Sequence, residues 1–498
     1  MGRVIKIDPI TRLEGHGRID IHLDDEGRVR NCFLVIPELR GFEKFVEGRP
    51  VEELPRITSR ICGVCPEAHH TASAKTVEAV YGMQIPPTAE IIRRLQYNAF
   101  VAGDHATHFY ALAGPDFIVG PNASPQERNL IGVINKVGKD AASKLIRMRK
   151  EAHEVAQMLG GRPIHPVGMV PGGQAKAVTR DMRIRLIEIG KFMVEFAQFT
   201  ERLFSKIVLS NPAYISLLRS ESYRQETYDI ALVNDNLEPD HYNGKLRVTD
   251  PQGNEVLFFT GTDYREHLAE EVVSWSYLKF LYLKAIGWGG LLDGIDSGIY
   301  RVAPLGMLNA SKHMQTPLAE EQRQKMFAML GGQPVHATLA FHWARIIEML
   351  QCAELVLAYA QDERLCDPNV RVLPQQTPHE GIGVVEAPRG VLIHHYVTND
   401  KGLVEKANLL VGTAHNYGSI ALAVKKAAQA ALGPGLEITE GMLNGIEMAF
   451  RAYDPCLGCA THALPGAMPL EIRLYNIQGD LINAVRRLGN GDGSLEKL

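Results

Sequence analysis

A mainly α-helical fold with small β additions is predicted by three features of the sequence. Apolar residues recur at helical spacing over unusually long stretches, from about Leu130 to Met158 and from about Arg180 to Leu209. Short alternating apolar and polar runs occur in two places only, residues 17–36 and 225–262. Two Cys-x-x-Cys pairs sit near opposite ends of the chain, so a site using both must be assembled by the whole fold. Helices longer than the mean of about 11–12 residues, without a heptad surplus, imply a central bundle.

In chain order, Val4 to Asp8 reads as a strand, and Ile19, Ile21 and Leu23 alternate before the turn Asp24-Asp25-Glu26-Gly27 leads to a second strand around Cys32 to Ile36. Cys32 reads as a packed small hydrophobe. Pro86-Pro87-Thr88 starts a helix carrying Asp104, His105 and His108, the histidines reading as core residues. Helices follow to Gly160-Gly161 and to Asn211-Pro212. A β insertion spans about 225–262, its strands turning at Asp250-Pro251-Gln252-Gly253. Helical patterns return at about 266–287, 317–330, 335–362, 404–432 and 438–453. Cys352 reads as core, and Cys366 has no partner at ligand spacing. Glu386-Ala387-Pro388-Arg389-Gly390 puts a cation inside an apolar stretch, which demands an anionic partner.

The bulk numbers exclude several classes. With 53 basic and 57 acidic residues the formal charge of the 498-residue chain is −4, so nothing draws nucleic acid. No apolar run reaches the roughly 18–20 residues that span a bilayer. The N-terminus lacks an apolar signal region, and seven cysteines without one point to a reducing compartment and thiolate chemistry. The expected location is cytoplasmic.

Four of the seven cysteines stand at metal-ligand spacing: Cys62 and Cys65 in Arg60-Ile61-Cys62-Gly63-Val64-Cys65, and Cys456 and Cys459 in Asp454-Pro455-Cys456-Leu457-Gly458-Cys459. Four soft thiolates suit structural zinc, an iron–sulfur cluster, or nickel and iron. Each motif also carries a histidine, His69 or His462, able to orient a sulfur or to bind elsewhere. Spacing alone leaves these open, and it makes Glu14 a surface charge beside a glycine turn.

The two motifs together resemble the large subunit of nickel–iron hydrogenases. The likeness extends through Arg12-Leu13-Glu14-Gly15-His16, Arg40-Gly41-Phe42-Glu43, His108-Phe109-Tyr110, Gly161-Arg162-Pro163-Ile164-His165-Pro166 and Glu386-Ala387-Pro388-Arg389-Gly390, essentially the whole chain. The wording around Arg40 is similar to the cytoplasmic subfamily, leaning to the viologen-reducing type that partners heterodisulfide reductase. The resemblance implies reversible cleavage of H2 on nickel bound by Cys62, Cys65, Cys456 and Cys459. Cys65 and Cys459 would bridge to an iron carrying CO and cyanide. Cys456 would be the first proton acceptor, Glu14 the proton gate, and Arg389 the cation over the open position.

Thr413 aligns with a hydroxyl that donates to a cyanide, although Gly412-Thr413-Ala414-His415-Asn416 departs from the family's usual wording. Glu43, His462 and the carbonyl of Leu409 would hold magnesium, or a second iron. Asp104 is a candidate outer carboxylate. The implied catalytic domain is 1–462, and the tail 463–498, including the polar stretch Gly489 to Gly493, would be cut off by an endopeptidase after maturation proteins insert nickel. The tail's own residues read as a helix around Leu470 to Leu488. The implied partner is an iron–sulfur small subunit, with further electron-transfer subunits. The rival readings are a hydrogen-sensing regulatory subunit, a nickel-free scaffold like the quinone-site subunit of NADH:quinone oxidoreductase, and a structural zinc protein.

Overall fold

The computed structural model describes residues 4–374, 376–462, 470–475, 480–487 and 495–497. Strands β1 (Val4–Ile7), β2 (Arg18–Leu23) and β3 (Val29–Val35) form an antiparallel sheet in sequence order, with Ile21 opposite Cys32. A short helix, α1 (Pro66–Val80), begins directly after the first cysteine pair, with Pro66 at its first position, where the missing N–H costs nothing.

Four long helices make the core. They are α2 (Pro87–Thr107), α4 (Lys139–Gly160), α5 (Arg180–Phe204) and, later in the chain, α7 (Phe341–Gln361). The periodic stretch read as one helix from Leu130 is two, α3 (Leu130–Val137) and α4, because Gly138 sits between them at φ +90°. Asn129 caps α3 by accepting from the amides of Ile131 and Gly132, and Thr179 caps α5 by accepting from Met182. Beyond α2 the chain continues in wider turns to Val119.

The β insertion is present as β4 (Tyr228–Val233), β5 (Lys245–Thr249) and β6 (Glu255–Phe259), extended by a bridge from Tyr300–Arg301 that pairs in parallel with β4. The helix expected over about 266–287 is not formed. One turn, Tyr264–His267, gives way to an antiparallel pair, β7 (Leu268–Glu271) and β8 (Phe280–Leu283). The reason lies in tertiary packing, since the Phe280 ring stacks on Tyr417 at 4.3 Å, and aromatic residues fit a half-buried strand well.

Helices α6 (Pro317–Leu330) and α7 (Phe341–Gln361) fall where expected. Helix α7 packs on α5 and α2, α2 on α4, and α4 on α5, which closes the bundle. A further three-stranded sheet follows: β9 (Glu380–Ala387), β10 (Gly390–Thr398) and β11 (Val404–Leu410), all antiparallel. The helix expected from 404 therefore starts only at α8 (Gly412–Ala431), and α9 (Glu440–Ala452) ends just before the second cysteine pair. A last turn, α10 (Leu457–Ala460), holds that pair.

Helix α1 lies unusually close to β9. A Cβ on Gly383 would fall 2.5 Å from the carbonyl of Ala72, and one on Gly381 would fall 2.4 Å from that of Thr76. Past His462, the strands Leu470–Tyr475, Leu481–Arg487 and Leu495–Lys497 form an antiparallel sheet, which replaces the helix read from the tail's residues. The Gly489 to Gly493 stretch lies outside the described residues.

Candidate metal centre

Each cysteine pair lies at the start of a helix. Cys65 is the residue before α1, and Cys456 is the residue before α10, so the sulfurs gather near helix N-termini, where the backbone dipole favours negative charge. The amides of Val64 and Cys65 donate to Cys62 Sγ at 3.2 and 3.4 Å. Asp454, two residues before Cys456, holds φ +54°, a left-handed conformation that turns the chain from α9 into the motif.

The four sulfurs meet. Cys62 Sγ is 3.3 Å from Cys456 Sγ, Cys65 Sγ is 3.0 Å from Cys459 Sγ, and Cys456 Sγ is 2.9 Å from Cys459 Sγ. All four lie within 4.8 Å of one another, are buried and carry no disulfide. Among the described residues, no other group of three or more histidine, cysteine, aspartate or glutamate side chains converges in this way. Hydrogen bonds from its neighbours hold the Cys62 thiol low, while burial and the adjoining sulfurs push Cys456 and Cys459 up. Holding all four as thiolates in one buried site would therefore require a compensating cation.

Glu14 is half-buried against this cluster rather than freely solvated. Its carboxylate accepts from Cys456 Sγ at 3.0 Å and from the amide of Gly458 at 2.9 Å, while its carbonyl accepts from the amide of Leu457. A Cβ on Gly458 would sit 2.6 Å from that carboxylate, so the glycine makes room for the contact. Arg389 spans two carboxylates: Nη1 is 3.0 Å from Asp104 and Nη2 is 2.9 Å from Asp454, with Nε donating to the Asp454 carbonyl at 2.8 Å. These paired anions hold the guanidinium charged despite burial, and burial pushes Asp454 up to about 6.

A cavity of about 20 Å³ adjoins one side of the cluster. It is lined by Cys65 and Cys459, by apolar Leu392 and Val411, and by Arg389 and Thr413. Thr413 Oγ1 accepts from the amide of Cys456 at 2.9 Å, which leaves its hydroxyl hydrogen free to point elsewhere. A structural zinc site is closed on all sides by its four ligands, whereas this cluster has space beside two of its sulfurs. Two sulfurs of four face the cavity, so the cluster has two unlike sides.

A second convergence lies near Cys459. Glu43 Oε1 accepts from the amide of Leu409 at 2.7 Å, His462 Nε2 meets the Leu409 carbonyl at 2.6 Å, and His462 lies 3.6 Å from Glu43. His462 Nδ1 contacts the carbonyl of Cys459 at 2.5 Å. The structure thus places every candidate site residue read from the sequence in one of these two adjoining groups. It adds Asp454, whose carboxylate role was not read, and His394, which touches His69. His394 was hidden because it lies in an apolar strand and carries no motif of its own. Cys32 and Cys352 are core residues, as read, and His105 and His108 are buried, His105 beside Glu348 and His108 on the Arg451 carbonyl.

Comparison with known proteins agrees with the geometry. Residues 40–129 and 294–462 match the nickel-dependent hydrogenase family, and residues 4–39 match a HoxL-like family. The chain is 46% identical to an F420-non-reducing hydrogenase iron–sulfur subunit of Archaeoglobus profundus, over 97% of this chain and 99% of that one. It is 38% identical to the NAD-reducing hydrogenase HoxS subunit beta of Cupriavidus necator, over 97% and 99%. A solved NAD+-reducing [NiFe]-hydrogenase in the H2-reduced state superposes with a TM-score of 0.84 at 40% identity, covering 92% of this chain and 99% of that one. Among the described residues no helix is long and apolar enough to cross a membrane. Four sulfurs contributed by both ends of the chain, two of them facing a cavity that an arginine overlooks, thus belong to a nickel-dependent hydrogenase, of which this chain is the large, catalytic subunit.

Proposed function

We propose that Cys62, Cys65, Cys456 and Cys459 would hold a nickel–iron pair, with Cys65 and Cys459 the thiolates offered to the iron as well, and that Glu14 carries the proton of H2 away from Cys456. The observation that carries this reading is the 3.0 Å contact between the Glu14 carboxylate and Cys456 Sγ, which is the reach a proton-transfer partner needs. The residues fit the metals: four soft ligands converge, and of the four sulfurs Cys65 and Cys459 face a small, largely apolar cavity. When bound, the metal pair supplies the site where H2 is polarised and its electrons are taken up.

The chain's own residues do the rest. Cys456 receives the proton on sulfur, and the Glu14 carboxylate accepts it along a hydrogen bond already in place. Arg389, fixed by Asp104 and Asp454, presents a constant positive charge at the cavity edge. Thr413 has a free hydroxyl to donate to a ligand there. Glu43, the Leu409 carbonyl and His462 offer two oxygens and a nitrogen to magnesium or a second iron.

An iron–sulfur small subunit receives the electrons. Relatives named F420-non-reducing and NAD-reducing share this chain's length and pattern, so the final acceptor is set by partner subunits; we favour the viologen-reducing, heterodisulfide-reductase-linked arrangement in the cytoplasm. The tail Ala463 to Leu498 is removed after His462 once nickel is inserted by maturation proteins. The test is metal analysis and intact mass of the chain purified from its host, followed by H2-dependent viologen reduction. Nickel near one per chain, iron beside it and a mass ending at His462 are expected. Zinc alone, or full-length chain in active enzyme, would overturn the metal assignment or the processing, respectively.

A further inference from the structure

A chain of four buried hydrogen bonds leads away from Cys459. His69 Nε2 is 3.3 Å from Cys459 Sγ, His69 Nδ1 is 3.1 Å from His394 Nε2, His394 Nδ1 is 2.6 Å from the Tyr396 hydroxyl, and that hydroxyl is 2.8 Å from Ser73 Oγ. His69 and Ser73 are four residues apart on one face of α1, and His394 and Tyr396 are two apart on one face of β10. The closeness of α1 to the sheet, permitted by Gly381 and Gly383, is what lets the two pairs interlock. All four side chains are sealed from water, and among the described residues no carboxylate touches either imidazole.

The three links through an imidazole can run in either direction, because a neutral imidazole has one donor and one acceptor nitrogen, and the Tyr396 hydroxyl is oriented to donate to Ser73 Oγ. Reversing one link reverses all. A thiol at Cys459 could donate to His69. A thiolate holding metal has no proton, so it can only accept. His69 must then donate from Nε2, its Nδ1 must accept from His394, His394 Nδ1 must accept from Tyr396, and the Tyr396 proton must turn from Ser73 to His394.

We infer that His394 and Tyr396 are positioning residues that lock His69 in the tautomer donating a hydrogen bond to Cys459, and so set the electron density of that sulfur. The inference rests on the reading that Cys459 holds metal. The phenol is the key, because its single proton is committed to His394. Buried, solvent-free links of this kind are costly to leave unmade, which favours one ordered polarity over a mixture.

The test uses the assembled, metal-loaded enzyme and reads the infrared bands of the diatomic ligands with metal content. Tyr396→Phe keeps the ring and removes the donor. The CO band is expected to move to lower wavenumber, as a sulfur relieved of a hydrogen bond pushes more charge onto the metal, with nickel per chain unchanged. His394→Leu is expected to shift the band the same way, and His394→Gln, whose amide can both donate to His69 and accept from Tyr396, to return it towards the parent position. Unmoved bands in both Tyr396→Phe and His394→Leu, at full nickel content, would overturn the inference. Parent enzyme without nickel or diatomic bands would instead overturn the metal reading beneath it.

Discussion

Glu14 Oε2 and Cys456 Sγ stand 3.0 Å apart although 442 residues separate them in sequence. A bridge between their backbones, with the Leu457 amide donating to the Glu14 carbonyl, fixes the pair independently of the side chains. Glu14→Gln preserves shape and the Gly458 contact but cannot take a proton. Turnover in H2-dependent viologen reduction is expected to fall by about 10²–10⁴-fold, with nickel content unchanged. Loss of nickel in this variant would make Glu14 a structural residue instead.

Cys62→Ser removes one soft ligand from a set in which all four sulfurs converge. Nickel per chain is expected to drop to background, measured by elemental analysis. Retained nickel would reassign the ligand set.

Arg389 is clasped by two buried carboxylates. Arg389→Leu removes the cation that both carboxylates contact and is expected to destabilise the fold by about 3–5 kcal/mol, read from thermal or denaturant unfolding of the metal-free chain. Arg389→Lys keeps the charge but cannot bridge both carboxylates, so its loss of stability should be smaller while activity still falls.

Gly383→Ala places a methyl against the Ala72 carbonyl and must lift α1 from the sheet. Overpacking of this kind costs about 1–3 kcal/mol. Because His69 rides on α1, the variant should lose nickel retention as well as thermal stability; an unchanged melting temperature would contradict the close seating.

Burial pushes the Glu386 carboxyl up to about 8, with Oε2 accepting from the Leu232 amide at 3.0 Å. The folded chain thus keeps a proton that the unfolded chain releases near the ordinary glutamate value of about 4.3. The folded state binds the extra proton between these values, so this residue's contribution to stability is full below the ordinary value and declines as pH rises to about 8. Glu386→Gln removes that decline. The variant is expected to gain melting temperature over the parent at pH 8 and little at pH 5.

The long helices were legible because apolar spacing over many residues has one explanation, and the caps at Asn129 and Thr179 agree with it. The run Leu409-Leu410-Val411 was not, since a short buried apolar stretch reads equally as strand or helix. The same ambiguity hid β8, where contact between Phe280 and Tyr417 decides the outcome. At the site, the four cysteines announce themselves by spacing. Glu14 does not: a glutamate beside a glycine turn is an ordinary surface feature until the far end of the chain arrives to cover it. His394 and Asp454 were obscure for a related reason, as their partners lie on other elements and depend on strand register and on a left-handed turn.

The division of the ligand set between the two ends has a temporal consequence. Cys65 and Cys459 are 394 residues apart, so at synthesis rates of about 5–20 residues per second the ribosome spends about 20–80 s between them. Throughout that interval the first pair is an isolated dithiol, open to any thiophilic ion or oxidant in the cell. The protein has no binding site to defend until it is nearly finished, and selection of the correct metal is a problem of scheduling as much as of coordination.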